Sequence, residues 1–381
     1  MDVLSLYLHI PFCAKKCRYC DFYSVPGDRV LVENYLGALP KEIDLVNKKY
    51  CLDGSTQIQT VFIGGGTPTI LTAGQLRALC RHVRTGFPIA PGCEWTVECN
   101  PESFTEDKAS VLLDEGVTRL TFGFQSLDDR ELAFLGRVHT AERCRRILSD
   151  PALGAFASAG IDLMYGLPGQ TTGSLEHTLE QIVESPYVKH ISAYELTVAD
   201  GTPLGRRRSM LPLPGDETMS AMTGRLWDCL EAHGFMQYEV SNFARAGHEC
   251  RHNMTYWNHE PYLGLGCAAH SFLPPERSAN IRDVNRYCAM VNDGQLPREF
   301  TEKLNAEKLG MEMLFLGLRT VRGIDENRFF RICGKSLMDS VNKKKFDMLV
   351  KRGLLSYEKS FWKPTKNGLL TADAIAREII P

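Results

Sequence analysis

The first half of the chain alternates short apolar segments with helical segments, six times in succession. The strand-like segments are predicted over residues 4–10, 60–63, 94–99, 119–124, 160–165 and 188–196. Strands that alternate with helices form a parallel sheet through right-handed crossovers. The sequence therefore predicts an α/β fold, although periodicity alone does not distinguish a doubly wound sheet from a barrel.

The segments between these strands carry helix signals. Thr72 is a candidate N-cap for a helix that extends to Gly86, and residues 30–50 predict a longer helix before it. Pro40 lies inside that longer helix. We expect it to break or kink the helix, because proline lacks the amide hydrogen that the helical ladder needs.

The second half of the chain has a different pattern. Residues 216–233 predict an amphipathic helix, which precedes an irregular stretch rich in His, Asn, Tyr and Trp. The chain then ends in predicted helices at 306–319 and 337–352, a hairpin near Ser360 and a terminal helix, an order that resembles a winged-helix module. We expect three parts: a barrel or sheet domain over 1–215, a linking region over 216–290 and a C-terminal domain over 291–381.

Cysteine usage and charge limit the class of protein. The chain has 13 cysteines, and its opening MDVLSLYLHIPFC lacks a basic segment before a long apolar run, so we expect no signal peptide. We expect a reduced, cytoplasmic setting in which some thiols bind metal. The net charge of −2 argues against a nucleic-acid partner, and the basic runs at 206–208 and 343–345 are typical of solvated surfaces. No apolar run reaches transmembrane length.

The most specific motif is Cys13-x3-Cys17-x2-Cys20, directly after the first predicted strand. Structural zinc sites use four ligands, and no second close cysteine pair completes such a set. Three thiolates suit a [4Fe–4S] cluster whose fourth iron stays open to a substrate or cofactor. We therefore predict that these cysteines bind such a cluster, against the plainer interpretation of three structural thiols.

Glycine and polar residues follow the other predicted strands at the same end. Gly64, Gly65 and Gly66 end the second strand, where glycines let backbone groups approach a ligand. The polar candidates near later strand ends are Glu98, Gln125, Arg137 and Asp162. Each alone could be a helix cap or a surface group, but together they occupy the edge where a barrel builds its site. Carboxylates there favour a cationic ligand.

These motifs, with Tyr19 before the last cysteine, resemble the radical S-adenosylmethionine (SAM) superfamily. In that superfamily the amino and carboxylate groups of SAM bind the open iron, and one electron from the cluster cleaves SAM to a 5′-deoxyadenosyl radical. The resemblance implies a partial (β/α)6 barrel with a smaller α+β C-terminal domain that contains a winged-helix-like module. It also implies one set of residues that bind SAM: Tyr7, Tyr19, Phe22, Gly65, Gly66, Thr67, Glu98, Gln125, Arg137 and Asp162.

The strings YLHIPFCAKKCRYCDF, FIGGGTPT, DLMYGLPGQ and HNMTYW resemble one branch of this superfamily, the oxygen-independent coproporphyrinogen III oxidases and the related heme chaperones (HemW). The oxidases carry a fourth cysteine two residues after the third, where this chain has Phe22. They also carry a long segment before the first strand, where only three residues precede Leu4. Both departures favour the chaperones and put decarboxylation of coproporphyrinogen III in doubt.

Candidate heme residues lie between residues 250 and 270. Imidazole or thiolate groups can ligate iron, and Tyr and Trp side chains can stack on a flat macrocycle. The alternative is that these residues only pack the second domain against the barrel mouth. The candidates are His252, Asn253, Tyr256, Trp257, Cys267 and His270.

The resemblance implies a heme chaperone that carries a [4Fe–4S] cluster and exchangeable SAM. It would bind heme, with covalent attachment among the modes that the family implies, and transfer it to an acceptor hemoprotein. A membrane-associated respiratory acceptor and a homodimer are among the implied partners. The alternative that stays open is an enzyme of porphyrin metabolism, either an oxygen-independent coproporphyrinogen III oxidase or another radical SAM enzyme that acts on a tetrapyrrole.

Overall fold

The computed structural model describes residues 3–50 and 56–380. Within those ranges, twelve strands form one sheet, three form a small antiparallel sheet, and two short strands pair in the cysteine loop. The strands are β1 (Val3–Ile10), β2 (Phe12–Cys13), β3 (Val25–Pro26), β4 (Gln57–Gly65), β5 (Ile89–Cys99), β6 (Arg119–Gln125), β7 (Ser158–Tyr165), β8 (Val188–Glu195), β9 (Met236–Gln237), β10 (Asn242–Ala244), β11 (Tyr262–Leu265), β12 (His270–Leu273), β13 (Glu276–Asn280), β14 (Arg298–Lys303), β15 (Ile324–Asp325), β16 (Leu355–Glu358) and β17 (Phe361–Pro364).

The helices alternate with the strands in the first half of the chain and dominate its end. The α-helices are α1 (Arg29–Tyr50), α2 (Ala73–Gly86), α3 (Glu106–Asp114), α4 (Asp129–Leu135), α5 (Ala141–Leu148), α6 (Thr172–Val183), α7 (Asp216–Ala232), α8 (Arg251–Trp257), α9 (Val284–Asn292), α10 (Ala306–Gly317), α11 (Glu326–Cys333), α12 (Lys343–Lys351), α13 (Lys366–Leu370) and α14 (Ala372–Ile379). No helix in the described ranges combines the length and hydrophobicity needed to cross a membrane.

Six parallel strands lie side by side in the order β1-β4-β5-β6-β7-β8, which confirms the predicted partial (β/α)6 barrel. Side chains on their outer face, such as Leu6, Val61 and Leu120, are fully buried in the main core. Alternate residues of a strand point to the opposite face. That inner face is largely polar and carries Ser5, Tyr7, Thr60, Thr96, Glu98, Thr121, Asp162 and Ser192. The barrel therefore has an apolar outside under helices and a concave side suited to a polar ligand.

Of the predicted break or kink at Pro40, the break is wrong, because α1 continues through this residue, and the kink stays a prediction. Buried side chains lie on both sides of the proline, with Tyr35 and Leu39 before it and Ile43 and Val46 after it. They pack into the same core as the barrel strands. A proline inside a helix costs about 3 kcal/mol. Burial of four large side chains at roughly 2 kcal/mol each outweighs that cost.

The stretch that follows Cys250 is regular, which corrects the predicted irregular linking stretch. Helix α8 packs against the inner face of the barrel, where the Glu94 carboxylate accepts a hydrogen bond from the His252 amide at 2.9 Å. The Ser5 and Thr255 hydroxyl oxygens lie 3.0 Å apart. Strand β11 then pairs in parallel with β1, and β12, β13 and β14 extend the same sheet in antiparallel order. The division of the chain at residues 215 and 290 stays a prediction.

The end of the chain forms a smaller α+β unit with its own apolar core around Phe329 and Phe346. Strands β15, β17 and β16 form its antiparallel sheet. The helix predicted over 337–352 is divided into a short 3-10 helix and α12, because the Asn342 side chain caps α12 by accepting a hydrogen bond from the Lys345 amide. Helix α11 was not predicted, since it has only eight residues and exposes the apolar side chains of Phe330 and Ile332 beside the buried Phe329 and Cys333, which obscures the helical period.

One buried carboxylate joins α1 to the added part of the sheet. Glu42 is fully buried and accepts hydrogen bonds from the Gly266 amide at 2.7 Å, the Asn280 amide group at 2.6 Å and the Tyr287 hydroxyl at 2.7 Å. Burial raises the pKa of this carboxyl group above its ordinary value. A buried charge is tolerated only where hydrogen bonds replace its hydration, as these three donors do.

Replacing Glu42 with Ala leaves three buried donors without an acceptor. We expect Glu42→Ala to lower the free energy of unfolding by about 3 kcal/mol, measured by urea denaturation. Glu33→Ala on the exposed side of α1 is the control, because Glu33 makes only a solvent-exposed ion pair with Arg29. We expect that control to change stability by less than about 0.5 kcal/mol. Equal losses in the two variants would contradict the assignment of Glu42 as a structural anchor.

Candidate functional site

The carboxyl ends of the barrel strands surround a cavity of about 320 Å³, here called the thiol cavity. It brings together every residue predicted to bind the cluster or SAM except Tyr7. The predicted residues that line it are Cys13, Cys17, Tyr19, Cys20, Phe22, Gly65, Gly66, Thr67, Glu98, Gln125, Arg137 and Asp162. Tyr7 lies deeper on β1, where its hydroxyl oxygen is 2.9 Å from Nδ1 of His9.

The cysteine loop is tied down at several points. Strand β2 pairs with β3, and the Val25 amide donates to the Pro11 carbonyl at 2.8 Å, so the loop begins and ends at one place. The Arg18 amide donates to the Leu135 carbonyl at 3.0 Å, which holds the middle of the loop against the end of α4. These contacts turn the three thiols toward the same cavity.

Two side chains donate hydrogen bonds to the thiol sulfurs. Oγ1 of Thr67 lies 3.7 Å from Sγ of Cys13, and Nη1 of Arg137 lies 3.3 Å from Sγ of Cys17. Donors to sulfur stabilise thiolates, the form in which cysteine binds iron. Burial, by contrast, raises the pKa of the Cys20 thiol to about 11.

The glycine segment packs too closely against neighbouring residues to carry side chains. A Cβ atom on Gly65 would lie 2.5 Å from Nδ1 of His9, and one on Gly66 would lie 2.6 Å from the Phe12 carbonyl oxygen. Gly65 also has a φ of +111°, which only glycine adopts readily. Only glycine therefore fits here, and the backbone of both residues lines the thiol cavity.

Two carboxyl groups line the cavity, and neither makes a direct ion pair among the described residues. Glu98 accepts a hydrogen bond from the Gly65 amide at 3.0 Å, and its pKa is raised to about 7 by burial and by the charge of Asp162. Burial also raises the pKa of Asp162, against hydrogen bonds from Ser192 and Thr121 and the charges of Arg119 and Arg137. Neighbouring buried acids whose pKa values are raised by burial favour a cationic ligand.

Several residues of this cavity were not predicted from the sequence. Asn100 donates to Oγ1 of Thr67 at 2.9 Å and accepts from Nη2 of Arg137 at 2.8 Å, which fixes both residues that donate to the thiols. Thr121 donates to Asp162 at 3.2 Å. Asn100 lies in the same ECNP string as Glu98, so its position at the strand end could have predicted its place in the cavity. Tyr194, at the end of β8, had no comparable motif.

The thiol cavity fits the predicted cofactors. Among the described residues, no group of three or more His, Cys, Asp or Glu side chains converges on a single-ion position. Three thiols spread around one cavity instead suit a [4Fe–4S] cluster, which is wider than one ion. The glycine backbone and the two carboxyl groups that line the cavity suit the amino and sulfonium groups of SAM.

A second and larger cavity, of about 940 Å³, opens beside the first and is here called the aromatic cavity. Phe22 and Tyr194 line both cavities, so the two spaces are neighbours. Three of the predicted heme residues, Asn253, Tyr256 and Trp257, line it. The other aromatic side chains of its wall are Tyr165, Trp227 and Phe243.

The other predicted heme residues lie outside the aromatic cavity. His252 is fully buried, with its ring nitrogens 2.7 Å from Oγ1 of Thr60 and 2.8 Å from the Tyr256 hydroxyl oxygen. Burial lowers the pKa of His252 to about 3, which keeps the ring neutral. Cys267 is buried and donates to the Ile281 carbonyl at 3.0 Å, whereas His270 is exposed on β12.

The remaining described cysteines are free thiols, and most are buried. Cys229 is partly exposed, and Cys51 lies outside the described residues. The buried ones are Cys80, Cys93, Cys99, Cys144, Cys250, Cys267, Cys288 and Cys333.

Comparisons with known proteins agree with this geometry. Residues 7–182 match the model of the radical SAM superfamily, and residues 304–371 match the HemN C-terminal domain. The chain is 36% identical to the heme chaperone HemW of Bacillus subtilis (strain 168), with 97% of each protein covered. It is 34% identical to the heme chaperone HemW of Mycobacterium tuberculosis (strain ATCC 25618 / H37Rv), over 99% of this chain and 94% of that one.

A solved structure shares the whole fold. The coproporphyrinogen III oxidase (HemN) from Escherichia coli superposes with a TM-score of 0.84 at 23% identity, covering 98% of this chain and 89% of that one. This match extends from the barrel to the C-terminal unit. With the family matches, it confirms the resemblance that the motifs indicated.

The raised pKa of Glu98 predicts a pH-dependent gain in stability for Glu98→Gln. The folded chain keeps a proton on this group up to about pH 7, whereas the unfolded chain releases it near pH 4.5, so wild-type stability falls between those values. In protein without SAM or cluster, we expect Glu98→Gln to be more stable than wild type by about 2 kcal/mol at pH 8. The gain should fall below half of that at pH 5, measured by urea denaturation.

The matched control is Glu184→Gln, a change on an exposed residue at the end of α6. Its effect on the free energy of unfolding should be small and equal at the two pH values. A gain for Glu98→Gln that does not depend on pH would contradict a protonated buried carboxyl group.

Proposed function

The chain belongs to the heme chaperone HemW family of the radical SAM superfamily, and we propose that it binds heme and transfers it to an acceptor hemoprotein. The observation that carries this proposal is the aromatic cavity beside the thiol cavity. Its volume of about 940 Å³ lies at the upper end of the range for small-molecule sites, and its walls are rich in aromatic groups. Such a cavity suits a flat macrocycle, because ring faces stack while polar tips reach water.

Within this cavity, Asn253, Tyr256 and Trp257 of α8 are the residues that we assign to heme contact. They lie on one short helix, whose position is fixed by hydrogen bonds from its first turn to Glu94. His252 helps to fix the position of Tyr256, because its Nε2 atom lies 2.8 Å from the Tyr256 hydroxyl oxygen. Cys267 and His270 remain alternative heme residues at a separate place, in the part of the sheet formed by β11 to β14, here called the surface sheet.

The thiol cavity is the proposed cofactor site. Cys13, Cys17 and Cys20 would hold the [4Fe–4S] cluster, and the ten residues that the family resemblance implies would hold SAM. When bound, these cofactors supply one-electron chemistry. The chain itself contributes hydrogen-bond donors to the thiols, a glycine backbone and two carboxyl groups that favour a cation. Asn100 orients Thr67 and Arg137 for this task.

Three finer proposals follow from the same family. We propose that the acceptor is a membrane-associated respiratory protein, that the chaperone works in the cytoplasm, and that it forms a homodimer. The exposed basic residues Arg206, Arg207 and Arg208, which are followed by exposed Met210, suit contact with an anionic membrane surface or an acidic acceptor. Sedimentation with and without heme tests the homodimer.

Hemin titration of the purified protein tests heme binding. We expect a saturable absorbance change with one heme per chain. Trp257→Leu should weaken the affinity about tenfold, because it removes a large stacking surface from the cavity. Cys267→Ser and His270→Ala should leave the affinity unchanged, since neither residue lines that cavity. Loss of binding in these two variants but not in Trp257→Leu would move the site to the surface sheet, and no saturable change in wild type would refute the proposal.

Anaerobic incubation with coproporphyrinogen III, SAM and a reductant tests the alternative of an oxidase. We expect no protoporphyrinogen from protein whose cluster is intact by absorbance and iron content. Formation of protoporphyrinogen at a rate that depends on SAM would show that Phe22, in place of the oxidases' fourth cysteine, does not prevent decarboxylation. Denaturing the heme-loaded protein and extracting free heme with acidified solvent then tells whether attachment is covalent.

A further inference from the structure

The aromatic cavity has a charged end that heme stacking alone does not explain. Arg319, which follows α10, and Arg377 on α14 line this end together with Asp373. All three belong to the C-terminal unit, whereas Tyr256 and Trp257 on the facing wall belong to α8. Two guanidinium groups, both in contact with Asp373, thus lie in the wall of the aromatic cavity.

Arg319 is held in place by aromatic rings. Its guanidinium carbon lies 3.9 Å from the ring centroid of Phe315 and 5.8 Å from that of Trp257. Its side chain is only 20% exposed. A cation fixed against two rings loses little freedom when it binds an anion, so this arginine is prepared for a ligand.

The ion pair between Arg319 and Asp373 is of a kind that a ligand can displace. Nε and Nη2 of Arg319 lie 2.7 Å and 2.6 Å from the same Asp373 oxygen, Oδ1. The pair therefore lacks the two parallel hydrogen bonds of the strongest arginine–carboxylate contacts. The Asp373 side chain is 49% exposed, and water competes for both partners.

Arg377 completes the charged end. Its Nε donates to the Asp373 backbone carbonyl at 3.2 Å. The Arg377 residue is exposed on α14. Two more acids line the cavity. Glu239 is fully buried and bonded to Ser241 and Asn242, with its pKa raised to about 7 by burial, and Glu195 is exposed at the end of β8.

We propose that Arg319 and Arg377 bind the two propionate carboxylates of heme and that Asp373 occupies Arg319 until heme displaces it. The proposal rests on heme binding in the aromatic cavity. A tetrapyrrole with two neighbouring carboxylates matches two guanidinium groups beside an aromatic wall, whereas a neutral macrocycle leaves Arg319 paired with Asp373 and offers no carboxylate to Arg377. Heme then bridges α8 and the C-terminal unit, and Asp373 supplies the competing anion that favours release.

Titration with hemin and with hemin dimethyl ester tests this arrangement. Wild type should bind hemin up to about a hundredfold more tightly than the ester, which lacks both negative charges and therefore loses both arginine contacts. Arg319→Gln and Arg377→Gln should each weaken hemin binding about tenfold and leave ester binding nearly unchanged. Asp373→Asn should strengthen hemin binding severalfold, although it breaks the same ion pair as Arg319→Gln. A merely structural ion pair would make both changes weaken binding.

Two controls separate charge from folding. Arg319→Lys keeps the positive charge and should retain much of the preference for hemin over the ester. Arg322→Gln removes an exposed arginine three residues away that does not line the cavity, and it should change neither affinity. Melting temperatures identify any variant whose fold is impaired.

The outcomes distinguish this proposal from the function on which it rests. If wild type binds neither hemin nor its ester, heme binding itself is refuted. If wild type binds both equally well, or if Asp373→Asn weakens hemin binding as Arg319→Gln does, heme binding stands and the carboxylate contacts are overturned.

Discussion

Parallel hydrogen bonding between β1 and β4 through β8 is the constraint on which the rest of the molecule depends. Since parallel strands all end at the same edge, residues separated by 150 positions in the chain meet around one cavity. The period of two in each strand then sends apolar side chains outward to the helices and polar ones inward. The site is thus a direct consequence of the sheet and needs no long-range loop to assemble it.

The polar inner face of the barrel lowers the stability of the fold, as its buried acids and one strained backbone position show. Glu98 and Asp162 are buried in the cavity without a direct ion pair among the described residues, and Gln125 at the end of β6 adopts a positive φ, which is uncommon for a residue other than glycine. Backbone strain and buried acids of this kind are concentrated at functional sites. The buried outer face of the sheet supplies the stability that tolerates them.

The sequence predicted the thiol cavity well because each of its residues stands in a local string next to a strand end. The period of apolar residues predicted the strands, and the carboxyl ends of the strands then predicted which polar residues line the cavity. Helix α8 and strands β11 to β14 were not predicted, since their elements are only four to seven residues long and their partners are distant in sequence. Strand β11, for example, is a strand because the free edge of β1 lies beside it, some 250 residues earlier. Pro40 is a second case in which the local sequence is not decisive. Its tendency to break a helix is overcome by the tertiary packing of α1.

Helix α8 explains why two cavities with different chemistry can lie side by side. Its first turn is bound to Glu94 on the inner face of the barrel, and its other end presents Tyr256 and Trp257 to the aromatic cavity. Behind it, the His252 ring stacks on Phe62, which in turn stacks on Tyr7 beside the thiol cavity. A shift of α8 caused by a ligand in the larger cavity therefore has a packed route to the smaller one. Because both ring nitrogens of His252 are already bonded, that histidine is better suited to transmit such a shift than to receive a ligand itself.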